Sequence, residues 1–272
     1  MTFAWKKVQG FLLVLLLAVS VVVSLLIGHP KSAVSQKLPP TSNSKPSIVL
    51  VHGAFADATG WQHVIPLLER DGYTVTGVQN PLLSLAEDVA TTKRVIDAQK
   101  GSVIVVGHSY GGAVITGAAV DNPQVKALVY IAAFVPDVGE KIGQLNSKYE
   151  PPLLSTALVP DAAGLLYIDR AKFRDVFAKD VSGTEARVMA ATQKPIASAA
   201  FDQSLDKAVG KTIPSWYLVA QEDRAINPEL ERFMAKRINA QTTEIKSSHV
   251  PFISHPKEVV KLIEQAATAV AK

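Results

Sequence analysis

A serine between two glycines, in Gly107-His108-Ser109-Tyr110-Gly111, is the pattern that most directly indicates chemistry in this chain. It follows an apolar run at 103–106 that predicts a strand, and it precedes small residues that predict a helix. A serine on a sharp strand-to-helix turn presents its hydroxyl above the sheet as a nucleophile, and the glycines let the chain pass through the turn. The pattern therefore predicts nucleophilic catalysis by Ser109 rather than a glycine-rich packing turn.

A serine hydroxyl needs a base within hydrogen-bonding reach, and His249 is the best placed of the six histidines. It follows a predicted strand at 242–246 and precedes the last predicted helix. This position puts it at the carboxyl edge of a parallel sheet together with Ser109. His52, at the end of the first predicted strand, is expected to have a structural role.

The base needs a carboxylate that orients its ring, and the order serine, acid, histidine restricts that acid to residues 110–248. Asp223 is favoured because it follows the predicted strand at 213–220 and precedes a helix that starts at Pro228. Glu222 is the neighbouring rival, and Asp137 is a third candidate that is better explained as a hinge. The sequence favours Asp223 without eliminating the other two.

Backbone N–H groups must bind the oxyanion of a tetrahedral intermediate. The N–H of Tyr110, directly after the nucleophile, is expected to supply one. The loop that opens with His52-Gly53 is expected to supply the second, from Ala54 or alternatively from Phe55.

The elements that position these residues alternate between strand and helix, which predicts an α/β fold with a mostly parallel sheet covered by helices on both faces. Strands are predicted at 47–51, 73–78, 103–106, 125–134, 213–220 and 242–246. Between the fourth and fifth of these, helical spacing and scattered prolines predict an inserted helical cap at about 136–210. An insertion of this length in a compact domain is usually functional, often a lid.

Composition supports one globular α/β domain, since 48% of the residues are hydrophobic and 19% are charged. The net charge of +4 comes from the N-terminal region, where five lysines precede Pro46. The rest of the chain carries 23 basic and 24 acidic residues. This balance gives no reason to expect a nucleic-acid partner.

An almost unbroken apolar run at 11–27 follows Lys6-Lys7 and predicts a signal peptide or a membrane anchor at 1–30. A Ser-, Pro- and Lys-rich stretch at 31–45 predicts a flexible tether to the globular α/β domain at 46–272. The domain is therefore expected to be exported across the cytoplasmic membrane and to be periplasmic, secreted or anchored by its leader. The chain has no cysteine, which excludes disulfides and thiol chemistry.

Taken together, these motifs resemble those of α/β-hydrolases in the esterase and hydroxynitrile-lyase-like branch, which includes plant methyl esterases. The matching segments are 51–55, Trp61, 107–112, 222–224 and 248–249. The resemblance extends from Pro46 to the C-terminus. It implies that the oxyanion loop, nucleophile, acid and base fall on Ala54, Ser109, Asp223 and His249.

Two departures from this resemblance argue against lyase activity. Hydroxynitrile lyases have a lysine after the catalytic histidine, where this chain has Val250, and a hydroxyl residue where it has Gly53. We therefore expect hydrolysis of a small carboxylic ester through an acyl-enzyme on Ser109, without a metal or organic cofactor. The apolar cap favours an apolar or aromatic substrate. A lyase, a cofactor-free perhydrolase and a catalytically silent ligand-binding homologue are the alternatives, and the oligomeric state stays open.

Overall fold

A parallel sheet of six strands is the centre of the computed structural model, which describes residues 45–271. The predicted leader at 1–30, and the predicted tether apart from Lys45, lie outside the described residues, so export and anchoring stay predictions. Within the part of the chain that is described, no helix has both the length and the apolar character needed to cross a bilayer.

The strands of the described chain are β1 (Ser47–Val51), β2 (Val75–Val78), β3 (Val103–Ser109), β4 (Val125–Ala133), β5 (Leu158–Pro160), β6 (Leu165–Ile168), β7 (Ile196–Ala197), β8 (Ser215–Ala220) and β9 (Gln241–Ile245). The six strands of the central sheet are ordered β2-β1-β3-β4-β8-β9, and every neighbouring pair is parallel. All residues of β1, β3 and β8 are buried, which accounts for their continuous apolar runs. The predicted fold class is confirmed.

Most of the helices that connect and flank the strands begin at a polar cap or a proline. They are α1 (Ile65–Arg70), α2 (Leu85–Asp97), α3 (Tyr110–Ala118), α4 (Ile142–Asn146), α5 (Phe173–Phe177), α6 (Gly183–Thr192), α7 (Ala199–Asp202), α8 (Pro228–Arg237), α9 (Pro251–Ser254) and α10 (Pro256–Val270). Ser84 caps α2 by accepting the N–H of Glu87, and Asn227 caps α8 by accepting the N–H of Glu229. Two 3-10 helices, Ala58–His63 and Leu153–Ala157, complete the set in the described residues.

The segment at 134–214, between β4 and β8, interrupts the alternation, and we call it the insert. It contains α4 to α7, and it also contains an antiparallel sheet of β5, β6 and β7 that the sequence analysis did not predict. Asp161 Oδ1 accepts the N–H groups of Ala163 and Leu165, and Gly164 has a φ of +79°. This tight turn joins two strands of three and four residues, which are too short for their side-chain alternation to stand out from the sequence.

The carboxyl ends of four strands lie at one edge of the sheet because the strands are parallel. β3 ends at Ser109, β1 ends two residues before Gly53, β8 ends three residues before Asp223, and β9 ends four residues before His249. The fold therefore places the predicted nucleophile, oxyanion loop, acid and base at the same edge.

Candidate active site

The backbone of Ser109 adopts a conformation that few non-glycine residues tolerate. Its φ is 53° and its ψ is −124°, at the junction of β3 and α3. A Cβ on Gly107 would lie 2.7 Å from the carbonyl oxygen of Gly111, and a Cβ on Gly111 would lie 2.6 Å from the carbonyl oxygen of His52. Both glycines are therefore required by close approach of the backbone, which is the local reason for the motif.

His249 and Asp223 form a buried pair beside this turn. Nδ1 of His249 lies 2.6 Å from Oδ2 of Asp223, and the two side chains are 1% and 0% exposed. Oδ1 of Asp223 accepts the N–H groups of Ala225 and Ile226, at 2.6 and 2.9 Å. With Nδ1 bound to the carboxylate, Nε2 is the ring nitrogen that is left to exchange a proton with a nucleophile.

The two rival acids lie elsewhere. The side chain of Glu222 is 49% exposed and lies 3.5 Å from Nζ of Lys246. Asp137 is exposed, and its Oδ1 accepts the N–H of Val138. The structure thus brings Asp223 against His249, and it does not bring Glu222 or Asp137 there.

The loop after β1 passes directly against Ser109, the predicted nucleophile. A Cβ on Gly53 would lie 2.8 Å from Cβ of Ser109, so only glycine fits at this position. Ala54 and Phe55 are buried at 4% and 3% exposure, and within the described chain neither N–H donates a hydrogen bond to another protein group. Both N–H groups are therefore available to an oxyanion, and the structure leaves the choice between them open.

An apolar cavity of about 210 Å³ opens beside Ser109. It is lined by Ala54, Phe55, Ser109, Phe134, Ile142, Gly143, Asn146, Pro152, Leu154, Ser155, Leu158, Phe177, Phe201 and Ala225. Most of this lining comes from the insert. Such a cavity binds a small apolar group next to the serine hydroxyl.

Two buried side chains that sequence reasoning did not assign to the site hold its backbone in place. His108 Nε2 donates to the carbonyl oxygen of His249 at 2.8 Å, and burial holds the pKa of His108 well below its usual range, so the ring is neutral. The hydroxyl of Tyr110 donates to Oδ2 of Asp88 at 2.7 Å. The first contact holds the backbone of His249, the predicted base, and the second holds Tyr110, whose N–H is predicted to bind an oxyanion.

A third contact comes from the insert. Asp180 accepts the N–H of Ser248 at 3.0 Å and also accepts its hydroxyl. Ser248 directly precedes His249, so the insert is bonded to the loop that carries the base. Nothing in the residues around Asp180 could have indicated this contact, because 68 positions separate the partners.

His52 has the structural role that the sequence predicts. Its Nε2 accepts the N–H of Asn80 at 3.1 Å, and its Nδ1 lies 2.8 Å from the carbonyl oxygen of Gly53. Burial lowers the pKa of His52 to about 4, so the ring stays neutral and supports the oxyanion loop.

A parallel sheet with a serine on the β3–α3 turn and a histidine–carboxylate pair at the same edge defines the α/β-hydrolase class. The model of the alpha/beta hydrolase family matches residues 48–262, and the chain belongs to this family. The predicted resemblance is confirmed, because plant methylesterases are among the relatives.

Two relatives and one solved structure illustrate this similarity. The chain is 27% identical to the pyrethroid hydrolase of Sphingobium wenxiniae, over 83% of this chain and 89% of that protein. It is 26% identical to methylesterase 17 of Arabidopsis thaliana, over 84% of this chain and 94% of that protein. The crystal structure of the pyrethroid hydrolase PytH has the same fold, with a TM-score of 0.72 at 24% identity over 84% of this chain and 99% of that one.

Proposed function

We propose that this hydrolase cleaves a small carboxylic ester through an acyl-enzyme on Ser109. The observation that carries the proposal is the position of Ser109, on a strained turn at the wall of an apolar cavity, at the sheet edge where His249 is bound to Asp223. The esterase names of several relatives support the same reaction class.

In the first half of the reaction, Oγ of Ser109 attacks the ester carbonyl while Nε2 of His249 takes the hydroxyl proton. The carbonyl oxygen becomes an oxyanion and accepts hydrogen bonds from the N–H of Tyr110 and the N–H of Ala54 or Phe55. The imidazolium that forms is stabilised by Asp223. The C–O bond to the alcohol then breaks, and His249 returns the proton to the leaving alcohol.

In the second half, water replaces the alcohol. His249 takes a proton from this water as it attacks the acyl carbonyl, and the same N–H groups bind the second oxyanion. Collapse of this intermediate breaks the bond to Ser109, whose oxygen recovers the proton from His249. The carboxylic acid leaves, and the enzyme returns to its starting state without a cofactor.

The cavity supports an apolar or aromatic group on one side of the ester. Phe134, Phe177 and Phe201 supply aromatic surface, while Asn146 and Ser155 contribute polar side chains. Among the described residues, no lysine, arginine or histidine lines the cavity, so a carboxylate on the substrate would find no ionic partner among them.

Two features disfavour a lyase on the same scaffold. The residue directly after the proposed base is Val250, which is fully buried. A valine has no charge, so this position lacks the lysine that hydroxynitrile lyases have there. A hydroxyl side chain in place of Gly53 would collide with Ser109. Both observations favour hydrolysis.

The test is turnover of a panel of p-nitrophenyl and methyl esters by the full chain, beside Ser109→Ala and His249→Ala. We expect each variant to lose roughly 10⁴- to 10⁶-fold in kcat, as when members of a serine–histidine–acid triad are removed. His63→Ala is the matched control, because this histidine is 42% exposed and pairs with Glu185 instead. It should retain wild-type turnover.

Three results would contradict the proposal. If the folded protein hydrolysed none of these esters, its proposed assignment as a carboxylic ester hydrolase would be wrong. Product from a cyanohydrin, or from peroxide with acetate, would instead identify a lyase or a perhydrolase. Stable capture of a ligand without turnover, unchanged by Ser109→Ala, would identify a binding protein.

A further inference from the structure

A second carboxyl group is buried behind the His249–Asp223 pair. Glu231 lies in the first turn of α8 and is 0% exposed. Its Oε2 accepts the N–H of Ala220 at 3.1 Å, while no donor among the described residues reaches its Oε1. A carboxylate oxygen that is buried without a donor is costly, so the protonation state of Glu231 needs an explanation.

The other charged groups near Glu231 do not neutralise it. Arg232, next to it on α8, points to the surface and binds Glu229 and Glu244. The hydroxyl of Tyr217, on β8, is occupied by the backbone of Ala133. Among the described residues, Asp223 is the group whose charge acts most strongly on Glu231, and His249 lies beyond it, bound to Asp223.

Glu231 and Asp223 are close enough for a hydrogen bond between their carboxyl groups. Two carboxylates in contact in the interior of a protein do not both stay ionised, so the pair holds one proton. Burial, and then the Asp223 charge, hold the pKa of Glu231 well above its usual range.

The donors around the two groups decide where the proton resides. Asp223 receives hydrogen bonds from Ala225, Ile226 and His249, whereas Glu231 receives one from Ala220. The negative charge is better solvated on Asp223, so the proton belongs to Glu231.

A carboxylate offers about four acceptor sites, two on each oxygen. Two N–H groups occupy Oδ1 of Asp223, and His249 occupies one site on Oδ2. A hydroxyl on Glu231 would fill the fourth.

We propose that Glu231 is a protonated positioning residue, whose carboxylic acid donates a hydrogen bond to Asp223 and holds it in the orientation that binds His249. This role rests on the proposed function, since it acts only through the base of the ester hydrolysis. With all four sites filled, Asp223 cannot rotate away from the imidazole without breaking other hydrogen bonds.

The test compares Glu231→Gln with Glu231→Leu in the full chain. Glutamine keeps a donor for Asp223 and an acceptor for Ala220 N–H, so kcat/KM should stay within about threefold of wild type. Leucine keeps the volume and loses the donor, so kcat should fall about 10- to 100-fold, the size expected for a lost hydrogen bond to a charged group. KM should change little, because Glu231 is not among the residues that line the cavity. The pH profile of kcat should change in the leucine variant and not in the glutamine variant, because only leucine removes the hydrogen bond to the carboxylate that binds His249.

Glu229→Gln, two residues earlier on α8 at a side chain that is 63% exposed, is the matched control and should leave rate and pH profile unchanged. Equal losses in the glutamine and leucine variants would overturn the proposal, because they would show that an ionised Glu231 is required. Wild-type rates and pH profiles in both would overturn it as well. If Glu231→Leu fails to fold, the glutamine variant alone still decides, since its inactivation contradicts the proposal.

Infrared difference spectroscopy of wild type minus Glu231→Gln at neutral pH gives a readout that needs no substrate. A carbonyl band of a protonated carboxylic acid, present in the wild type and absent from the variant, is the expected result. Its absence would overturn the protonation state even in a protein that cleaves esters. Conversely, if the band were present but the protein hydrolysed no ester, Glu231 would still be protonated next to Asp223. Only the proposed function would then be contradicted.

Discussion

Nδ1 of His249 lies 2.6 Å from Oδ2 of Asp223, and both side chains are buried. A hydrogen bond in this setting selects the tautomer of the ring as well as its direction. The neighbouring Glu222 is half exposed and cannot replace it without a rearrangement of the loop.

Asp223→Asn should lower kcat about 10⁴-fold in ester hydrolysis while the protein stays folded, because the amide favours the wrong imidazole tautomer. Glu222→Gln is the paired control and should keep wild-type turnover. Steady-state kinetics of both variants on one p-nitrophenyl ester provide the measurement. If the loss appeared in Glu222→Gln instead, Glu222 would be the acid.

Asp180→Ala should lower kcat about 10-fold, since it removes hydrogen bonds to Ser248 and loosens the loop that carries His249. The expected change is in kcat rather than KM, because Asp180 is not among the residues that line the cavity. Asp206→Ala, an exposed acid in the same insert, is the control. Unchanged kinetics in Asp180→Ala would show that the loop keeps its position without the insert.

Leu158→Phe should narrow the cavity and shift the preferred ester towards shorter acyl or alcohol chains, because Leu158 lines it. We expect the ratio of kcat/KM for butyrate over acetate esters to fall about 10-fold, as each methylene in such a pocket contributes roughly 1 kcal/mol or more. Leu153→Phe, at a position that is 41% exposed, should leave this ratio unchanged. The same ratio in both variants would mean that the substrate does not enter this cavity.

The folded protein should lose stability as the pH falls below about 6.5, partly because of His52. Its pKa is about 4 when folded and 6.5 when exposed, so the unfolded chain binds the proton first, and acid favours unfolding. Between pH 7 and pH 5 this single group costs about 2 kcal/mol of unfolding free energy.

Denaturant titrations at the two pH values provide the measurement for His52. His52→Gln should be less stable at pH 7 and should have a smaller loss on acidification, whereas His63→Gln should keep the wild-type loss. An unchanged pH dependence in His52→Gln would assign the acid sensitivity to other groups, such as His108.

Glu231→Gln should become more stable relative to the wild type as the pH rises. The unfolded carboxyl ionises near its ordinary pKa of 4.5 while the folded one stays protonated, so wild-type stability declines above that pH. The difference between the proteins should grow by up to about 1.4 kcal/mol per pH unit. Unfolding measured from pH 5 to pH 8 checks this, and a constant difference would contradict it.

The sheet, and the turn that carries Ser109, could be predicted from the sequence because both depend on local patterns. Ser109 is identified by a fully buried strand, two glycines and a helix of small residues, all within about 15 positions. Asp223 was favoured over Glu222 without being separated from it, since the choice depends on a turn in which the N–H groups of Ala225 and Ile226 point at one carboxylate.

Other features depend on contacts between distant segments. Glu231 is a charged residue type on an amphipathic helix, so its position predicts a solvated side chain, and only the folded arrangement places it behind Asp223. Asp180 and the small sheet of the insert were missed for the same reason. Short strands and single long-range hydrogen bonds leave no periodic signal.

The insert supplies ten of the fourteen residues around the cavity, while the proposed nucleophile, base and acid lie at or just after the ends of strands of the central sheet. Mutations that reshape the cavity can therefore accumulate in one continuous stretch of chain without disturbing the reacting groups. Related proteins with this arrangement can therefore change their substrate through mutations in the insert while they keep the same reacting groups. Exchange of residues 134–214 between relatives is accordingly a direct route to recombining specificities.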